Sequence, residues 1–284
     1  STATVSTSFT NDSAFAVHAA ELTLSHPDGW TVKASSPASF ELVKPGQKVT
    51  TTWRVTVPEG TTPDKYQLSG AAVYEASQGA TRSTDAVTVT VPYTSLTAAF
   101  NNVGTTSREA QDTSGNFDGV NDAYSDEALA SVGYSAGAKV TFDGITFAWP
   151  DASSGRPDNT LAAGQSIEVS GSGSRLGFLT ASAYGAGSGT GTVHYSDGTT
   201  QSFTLNSGDW TVNKAPDGAQ VAVTAPDWHP RPNNATQHRK VSVYYSSVPL
   251  DPGRTVVAVT LPNVSSAPAA SVTSLHVFAM SIGS

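Results

Sequence analysis

An acidic loop carries the side chains of this sequence that are best suited to binding a metal ion. It spans residues 111–126 and contains Asp112, Asp118, Asp122 and Asp126 among Gly, Ser and Asn residues. Calcium prefers hard oxygen ligands and mixes carboxylates with the backbone carbonyls that such loops present. The spacing is not that of an EF-hand, because the acids do not alternate before the glycine. The loop therefore predicts either a structural calcium ion or a metal-free network of turns.

A proline-rich loop, residues 225–234 with the sequence APDWHPRPNN, places an aromatic ring among polar groups. No alternation of apolar and polar residues buries Trp228 there, so we expect the indole to be exposed. A sugar-binding site needs such an aromatic surface together with polar groups for the hydroxyls. The alternative is that Trp228 packs locally, as a lid on a sheet. The predicted carbohydrate-binding residues are this ring, its polar neighbours and a second aromatic residue: Trp228, His229, Arg231, Asn233, His238 and Tyr184.

The sequence lacks the residues or motifs that several catalytic mechanisms require. The chain has no cysteine, which excludes thiol catalysis, disulfides and cysteine–zinc sites. No His-Glu-x-x-His motif occurs, so the sequence predicts no zinc site of that kind. A glycosidase needs two carboxylates roughly 5 to 10 Å apart, one of them with a raised pKa. Asp158 follows a proline in a polar loop and Glu168 is expected to point outward from a strand, so neither setting predicts a raised pKa.

Two further polar or flexible segments are expected to be structural. Asp158 and Asp209 are each followed by residues that suit an Asx turn, so we expect them to tie their loops to backbone amides. The glycine-rich stretch at residues 185–191, GAGSGTG, matches neither phosphate-binding pattern. We therefore expect it to be a flexible hairpin connection.

Composition narrows the class of partner. Only 13% of the 284 residues are charged, against a typical value of about 25%, and Ser, Thr, Gly and Ala fill the difference. The net charge of -8 provides no basic surface for a phosphate backbone, so no nucleic-acid partner is expected. No apolar run approaches about 18 residues, so no membrane partner is expected either. A hydroxyl-rich surface is typical of secreted, extracellular β-proteins.

Apolar and polar residues alternate along most of the chain, which predicts an all-β fold. In residues 49–57 the apolar positions include Trp53, so this ring is expected in a core, as are Trp30 and Trp149. Similar runs include residues 241–245. Each is expected to have one buried face and one solvent-exposed face. The one predicted helical turn is 125–132, which opens with a capping serine and two acids.

The strand pattern divides the chain into two domains. About seven candidate strands precede residue 93, as in an immunoglobulin-like sandwich. From about residue 95 the sequence becomes richer in Gly, Asn and Asp and its loops lengthen. We therefore predict an Ig-like β-sandwich at residues 1–93, followed by a larger jelly-roll β-sandwich at residues 94–284.

Short motifs give both domains a family resemblance. Residues 22–91 resemble the Ig-like NEW3 domain of glycoside hydrolases, through Gly29-Trp30, LVKPG at 42–46, WRVTVP at 53–58 and Tyr66. Residues 96–282 resemble the NPCBM-like β-sandwich modules that follow NEW3 in secreted actinobacterial glycosidases. The motifs that carry this second resemblance are NFDG at 116–119, YS at 124–125, WP at 149–150, PDN at 157–159, GQ at 164–165, YSDG at 195–198, DW at 209–210 and LHVF at 275–278.

The resemblance implies a non-catalytic accessory region that binds a poly- or oligosaccharide weakly and positions a covalently attached glycoside hydrolase catalytic domain. Structural calcium recurs in jelly-roll sugar-binding modules, so the resemblance also favours the calcium interpretation of the acidic loop. Two alternatives remain: a scaffold that packs on the catalytic domain without binding sugar, and a jelly-roll enzyme that degrades glycans.

Overall fold

In a computed structural model, which describes residues 1–234 and 236–284, nearly all of the regular structure is β. The all-β prediction is therefore confirmed. The chain divides into two compact units, Ser1–Val91 and Pro92–Ser284. No helix in the described part of the chain is long and apolar enough to cross a membrane.

The first unit contains seven strands, which match the strand count of a small immunoglobulin-type sandwich. They are β1 (Thr2–Thr10), β2 (Val17–Ser25), β3 (Thr31–Ala34), β4 (Ser39–Val43), β5 (Lys48–Thr56), β6 (Asp64–Ala76) and β7 (Gly79–Val91). They form one sheet of order β1-β5-β3 and another of order β4-β2-β6-β7, and every pairing is antiparallel.

Alternation along β5 supplies part of the core of this unit. Buried positions alternate with exposed ones, and Trp53 lies on the buried face. Its Nε1 donates a hydrogen bond to Thr7 Oγ1 at 2.8 Å, which satisfies the one polar atom of the indole. Trp30 packs against Tyr66 with ring centroids 4.9 Å apart. The core predictions for Trp30 and Trp53 are confirmed.

The described residues of the second unit form fourteen strands and one short α-helix. These are β8 (Thr105–Thr106), β9 (Ala123–Ser125), α1 (Asp126–Ala130), β10 (Lys139–Phe142), β11 (Ile145–Ala148), β12 (Thr160–Leu161), β13 (Ser166–Gly171), β14 (Arg175–Ala183), β15 (Gly187–Tyr195), β16 (Thr200–Ser207), β17 (Gln220–Ala225), β18 (Trp228–His229), β19 (Val241–Pro249), β20 (Val256–Thr260) and β21 (Ser274–Gly283).

Two sheets make the β-sandwich of this unit. One has five strands in the order β12-β21-β14-β19-β17, and the other has four in the order β13-β20-β15-β16. Apolar side chains from both sheets form a shared core, with Phe178 of the first sheet stacked on Phe203 of the second at 5.5 Å. Glu168 on β13 is exposed beside the buried Ile167, as its parity predicted.

The five-stranded sheet is buried on both faces. Eight of the nine residues of β14 are buried, and residues 241–246 of β19 are buried without interruption. The prediction of one wet face for residues 241–245 is wrong, because a third layer covers that face. This layer contains α1, β10, β11 and Trp149, which is itself 4% exposed as predicted for a core residue.

The predicted capped helical turn is confirmed as α1. Ser125 precedes it and its Oγ accepts a hydrogen bond from Ala128 N at 3.3 Å, which satisfies one of the free amides at the helix start. The same hydroxyl donates to Glu127 at 2.7 Å. Ala128 and Leu129 are buried against the third-layer core.

The glycine-rich stretch is mostly strand, so the prediction of a flexible connection is wrong. Only residues 184–186 connect β14 and β15, and β15 already begins at Gly187. A Cβ atom on Gly187 would lie 2.4 Å from Ser182 Oγ, and one on Gly191 would lie 2.3 Å from the Phe203 ring. These glycines are there because neighbouring side chains approach the backbone too closely for any other residue.

A buried polar chain joins β21 to the loop at residues 158–159. His276, which is 0% exposed, bonds through Nδ1 to Asn159 Oδ1 at 2.7 Å and through Nε2 to Ser274 Oγ at 2.9 Å. Asp158 accepts hydrogen bonds from Asn159 Nδ2 and from Gly104 N, so it ties its loop to a distant amide. Contrary to expectation, Asp158 is buried, and burial raises its pKa to about 6.

Burial lowers the pKa of His276 to about 3, well below its ordinary value of 6.5. The folded state therefore resists protonation, and its stability falls as the pH drops from about 6.5 toward 3. Replacing His276 by Gln should destabilise the protein at pH 8 by about 1–3 kcal/mol, because Asn159 and Ser274 lose their partner. The difference in Tm between wild type and His276→Gln should shrink as the pH falls.

Thermal melts between pH 8 and pH 4 test this prediction. Asp158 titrates in both the wild type and His276→Gln. The difference between their Tm values at each pH therefore reports the contribution of His276. His18→Gln, at an exposed position of the first unit, is the matched control and should leave the melting of the second unit unchanged at each pH. A constant gap between wild type and His276→Gln across the pH range would contradict the proposed linkage.

Candidate functional site

An open cavity in the second unit brings aromatic, acidic and basic side chains together. Its volume is about 500 Å³, within the range of small-molecule sites. We call it the Tyr184 cavity. Its walls come from the acidic loop, from the end of β14, from the segment after β16 and from the proline-rich loop: Asp118, Val120, Asp122, Tyr184, Asp209, Trp210, Thr211, Trp228, Arg231, Gln237 and Arg239.

Phe117 anchors the acidic wall of the cavity. Its ring is fully buried and stacks on His276, with centroids 3.9 Å apart. The loop then closes on itself, because Phe117 N donates to Asp122 O at 2.8 Å. Asp118 Oδ1 accepts hydrogen bonds from Val120 N at 3.0 Å and from Asp122 N at 3.2 Å. These bonds hold the two carboxylates side by side on the cavity wall.

The Asp118 carboxyl is tuned toward protonation near neutral pH. Burial raises its pKa to about 6, and the negative charge of Asp122 adds to the rise. Hydrogen bonds from the amides of Val120 and Asp122 act against it. Asp118 and Asp122 are 7% and 3% exposed, yet both line the cavity, so what remains accessible of them faces it.

Tyr184 is the exposed aromatic ring of the site, with 37% of its surface accessible. Its backbone is left-handed, at φ 54°, a conformation that bulky residues adopt rarely. Two hydrogen bonds hold the turn: Gly185 N donates to Asp209 Oδ2 at 2.7 Å, and Thr273 Oγ1 donates to Tyr184 O at 2.8 Å. Strain of this kind is concentrated at functional sites, which supports a role for this ring.

The prediction that Trp228 is exposed is wrong. The residue is 4% exposed, because β18 pairs with β9 and places Trp228 opposite Tyr124. Its ring lies 5.7 Å from that of Trp210 and 5.2 Å below the Arg239 guanidinium, a cation–π contact. Trp228 therefore forms part of the floor of the cavity and does not present an exposed aromatic surface.

The basic side of the cavity comes from the proline-rich loop. Arg231 N donates to Asp122 Oδ1 at 2.7 Å, which joins this loop to the acidic loop. The Arg231 guanidinium reaches Val120 O at 3.4 Å. The backbone carbonyl of Gln237 accepts a hydrogen bond from Trp228 Nε1, so the far end of the loop is also fixed. Of the predicted sugar-binding residues, Tyr184, Trp228 and Arg231 thus line one cavity.

The other predicted sugar-binding residues lie elsewhere. His229 bonds to Thr106 Oγ1 at 2.8 Å and lines a second cavity. His238 is largely exposed and bonds to Asp227 at 2.7 Å. Asn233 is exposed on a short 3-10 turn. Neither His238 nor Asn233 lines the Tyr184 cavity as the described residues define it.

Sequence reasoning missed six lining residues: Val120, Asp209, Trp210, Thr211, Gln237 and Arg239. Asp209 was expected only to form an Asx turn, and it does so, accepting from Thr211 N at 2.8 Å. Its second oxygen fixes the Tyr184 turn, which local sequence could not indicate. An Asp-Trp pair directly after a strand, opposite an aromatic turn, is the signal that could have found it.

The structure does not bring the four carboxylates of the predicted calcium site into one group. Asp112 Oδ2 accepts from Ser154 Oγ at 2.6 Å and its Oδ1 accepts from Ser114 N, whereas Asp118 belongs to the network of Asp122. Asp126 is the first residue of helix α1. Among the described residues no group of three or more His, Asp or Glu side chains is placed to hold a metal ion. As arranged, the four do not fit one calcium ion.

Removing divalent metal should therefore leave the stability of the second unit unchanged. A ligand that binds only the folded state raises Tm, so a structural calcium ion would reveal itself when a chelator lowers the melting point. The measurement is a thermal melt in EDTA and in millimolar calcium. A fall of several degrees in EDTA, reversed by calcium, would restore the calcium interpretation of Asp112, Asp118, Asp122 and Asp126.

Comparison with known proteins assigns both units. Residues 1–75 match the NPCBM-associated, NEW3 domain of alpha-galactosidase, and residues 90–282 match the AziU2-like beta-sandwich domain. No curated protein sequence matches the chain. The secreted serine protease VesC from Vibrio cholerae is 10% identical over 94% of this chain and 48% of its own, with a TM-score of 0.25. The chain thus spans about half of that structure, and so low a score supports no inference. Because the second match covers more than half of the chain, the protein belongs to the AziU2-like β-sandwich domain family, with a NEW3 domain as its first unit.

Proposed function

We propose that the second unit binds carbohydrate in the Tyr184 cavity. The observation that carries the proposal is an exposed aromatic ring beside three carboxylates and two guanidinium groups around one open cavity of about 500 Å³. A pyranose has an apolar face that packs on an aromatic ring. Its hydroxyls both donate and accept hydrogen bonds, so they match carboxylate acceptors and guanidinium donors at once.

The polar groups are suited to a neutral sugar. Asp118 and Asp122 offer oxygens to donors, and Arg231 and Arg239 offer N–H groups to acceptors. A strongly cationic ligand would be repelled by the two arginines, and a strongly anionic ligand by the carboxylates. Uncharged hydroxyls avoid both penalties, and the cavity volume suits one ring with its first hydration shell.

The chain as a whole is proposed to be an accessory region of a secreted glycoside hydrolase. The NEW3 match supports this, since that domain type is accessory and its description names alpha-galactosidase. The partner is then a covalently attached catalytic domain, and α-galactosides become the first ligands to test. Binding through one aromatic ring predicts a Kd of order 0.1 to 1 mM, or roughly 4 to 5.5 kcal/mol. Tethering compensates, because it keeps the catalytic domain at high effective concentration near its substrate.

Replacing Tyr184 by Ala should weaken sugar binding by about tenfold, or about 1.4 kcal/mol, because the aromatic surface is lost. Tyr184→Phe keeps the ring and should retain most of the affinity. Both variants keep an L residue at the same left-handed φ, so the backbone strain is matched. A glycan array identifies the ligand first, and isothermal titration with methyl α-galactoside or the array's best sugar then measures Kd.

Val257→Ala, at an exposed position on β20, is the surface control for this experiment and should leave Kd unchanged. If the wild type binds no plant, fungal or mucin glycan, the scaffold alternative is favoured and the sugar-binding proposal fails. If the isolated chain cleaves a glycan, and one carboxylate substitution abolishes the cleavage, the enzyme alternative replaces it.

Affinity should also depend on pH through Asp118. Its pKa of about 6 means that the carboxylate is charged at pH 7.5 and mostly protonated at pH 5. The charged form makes stronger hydrogen bonds to hydroxyls, so affinity should fall several-fold between these two values. In Asp118→Asn the affinity should be lower and nearly flat with pH. A variant that keeps the wild-type pH profile would assign the titration to another group, such as Asp158, which does not line the cavity.

A further inference from the structure

A second cavity of similar size lies beside the first. Its volume is about 510 Å³, and its walls are Arg108, Gln111, Thr113, His229, Pro230 and Pro232. We call it the Gln111 cavity. Its lining combines an amide, a hydroxyl, an imidazole and a guanidinium with the apolar surfaces of two prolines. No aromatic carbocycle lines it among the described residues.

One short segment separates the two cavities. Along β18 the side chains of consecutive residues point to opposite sides, so Trp228 faces the Tyr184 cavity and His229 faces the Gln111 cavity. Pro230 and Pro232 continue the wall of the Gln111 cavity, and Arg231 returns to the other side. A water-sized space of about 10 Å³ under this segment contacts His229 and Arg231 together. The two cavities are therefore neighbours across a ridge of one chain thickness.

The Gln111 cavity shares an unusual backbone feature with the Tyr184 cavity. Gln111 has φ 54°, the same left-handed value as Tyr184. Asn and Asp adopt this conformation more readily than other residues, so a Gln and a Tyr there are both exceptional. In each case a long side chain is held at the rim of a cavity by a strained turn. Such strain persists where the surroundings impose it, and it is found at ligand-binding positions.

Resting on the function proposed above, we propose that the Gln111 cavity is a second subsite, and that one oligosaccharide chain occupies both cavities by crossing the ridge at Pro230–Pro232. His229 and Pro230 line the Gln111 cavity and Arg231 lines the Tyr184 cavity, so a ligand that enters both must pass over this segment. One sugar in each cavity and a link between them are then needed. The ligand class is thus an oligosaccharide rather than a monosaccharide.

The chemistry of the second subsite fits hydroxyls and C–H faces. The Gln111 amide and the Thr113 hydroxyl each donate and accept hydrogen bonds. His229 shares its Nδ1 with Thr106 Oγ1, and burial lowers its pKa, so the ring is neutral at pH 7 and offers Nε2 to a hydroxyl. The prolines stiffen the ridge, which limits the entropy lost on binding.

Without an aromatic ring, the Gln111 cavity should bind a single sugar only weakly. When that sugar is linked to one already bound at Tyr184, its contacts in the Gln111 cavity form within one complex and add to the affinity. The two subsites therefore predict a dependence on chain length that one cavity alone would not produce. We expect Kd to fall by at least about tenfold between a monosaccharide and a tetra- or pentasaccharide.

The test is titration calorimetry on the full chain with methyl α-galactoside, raffinose, stachyose and verbascose. Cello- and xylo-oligosaccharides of one to five units are titrated in parallel as two further ligand series. The key variant is Gln111→Ala combined with Thr113→Ala, two exposed positions whose truncation leaves no buried group unpaired. Tyr184→Ala is the comparison variant, and thermal melts check that each protein is folded.

The expected result is one binding site per chain, a Kd that falls with chain length, and loss of that gain in the double variant. Tyr184→Ala should weaken short and long ligands alike. Length-independent Kd values, two sites per chain, or a double variant that keeps the gain would overturn the second subsite while leaving the Tyr184 site intact. If none of these sugars binds, and the array is also negative, the proposed function itself fails and the subsite with it.

Discussion

The Tyr184 cavity depends on the stacking of Phe117 on His276. Phe117 lies in a long loop without strand or helix, and such a loop has little of its own to hold one conformation. Burying the ring 3.9 Å from the imidazole ties the loop to β21. The imidazole cannot rotate, because Asn159 and Ser274 hold its two nitrogens. The backbone bonds after Phe117 then fix Asp118 and Asp122, so a contact inside the core determines where the carboxylates of the cavity wall lie.

Sequence periodicity predicts those parts of the fold in which a residue's neighbours in the chain decide its burial. Trp53 on β5, Glu168 on β13 and the capped turn at Ser125 follow from alternation or from local hydrogen bonding, and the structure agrees. Alternation fails for β19, since it carries no information about a third layer that covers the supposed wet face. It fails again for residues 187–191, where the glycines record close contacts with side chains of other strands.

The candidate site was only partly predictable for the same reason. Trp228 has no local pattern that buries it, and its burial comes from pairing with Tyr124, more than a hundred residues earlier in the chain. Tyr184 was identified as an aromatic residue before a glycine run, but its left-handed backbone arises from Asp209 and Thr273, which are distant in sequence. Residue types indicated which side chains suit a sugar. Which of them meet was decided by long-range pairing.

The walls of the Tyr184 cavity come from three parts of the second unit: the sandwich, the acidic loop and the proline-rich loop. Tyr184 and Asp209 belong to the sandwich, Asp118 to the acidic loop and Arg231 to the proline-rich loop, with the bond from Arg231 N to Asp122 joining the two loops. A ligand that contacts all three binds only when the loops are docked on the sandwich, so it stabilises that docking. At a ligand concentration one hundred times Kd the gain is about 2.7 kcal/mol, a large share of the stability of an ordinary domain. A sugar bound as proposed above would be coupled to the docking of the two loops on the sandwich, and substitutions beneath the cavity should therefore also lower its affinity.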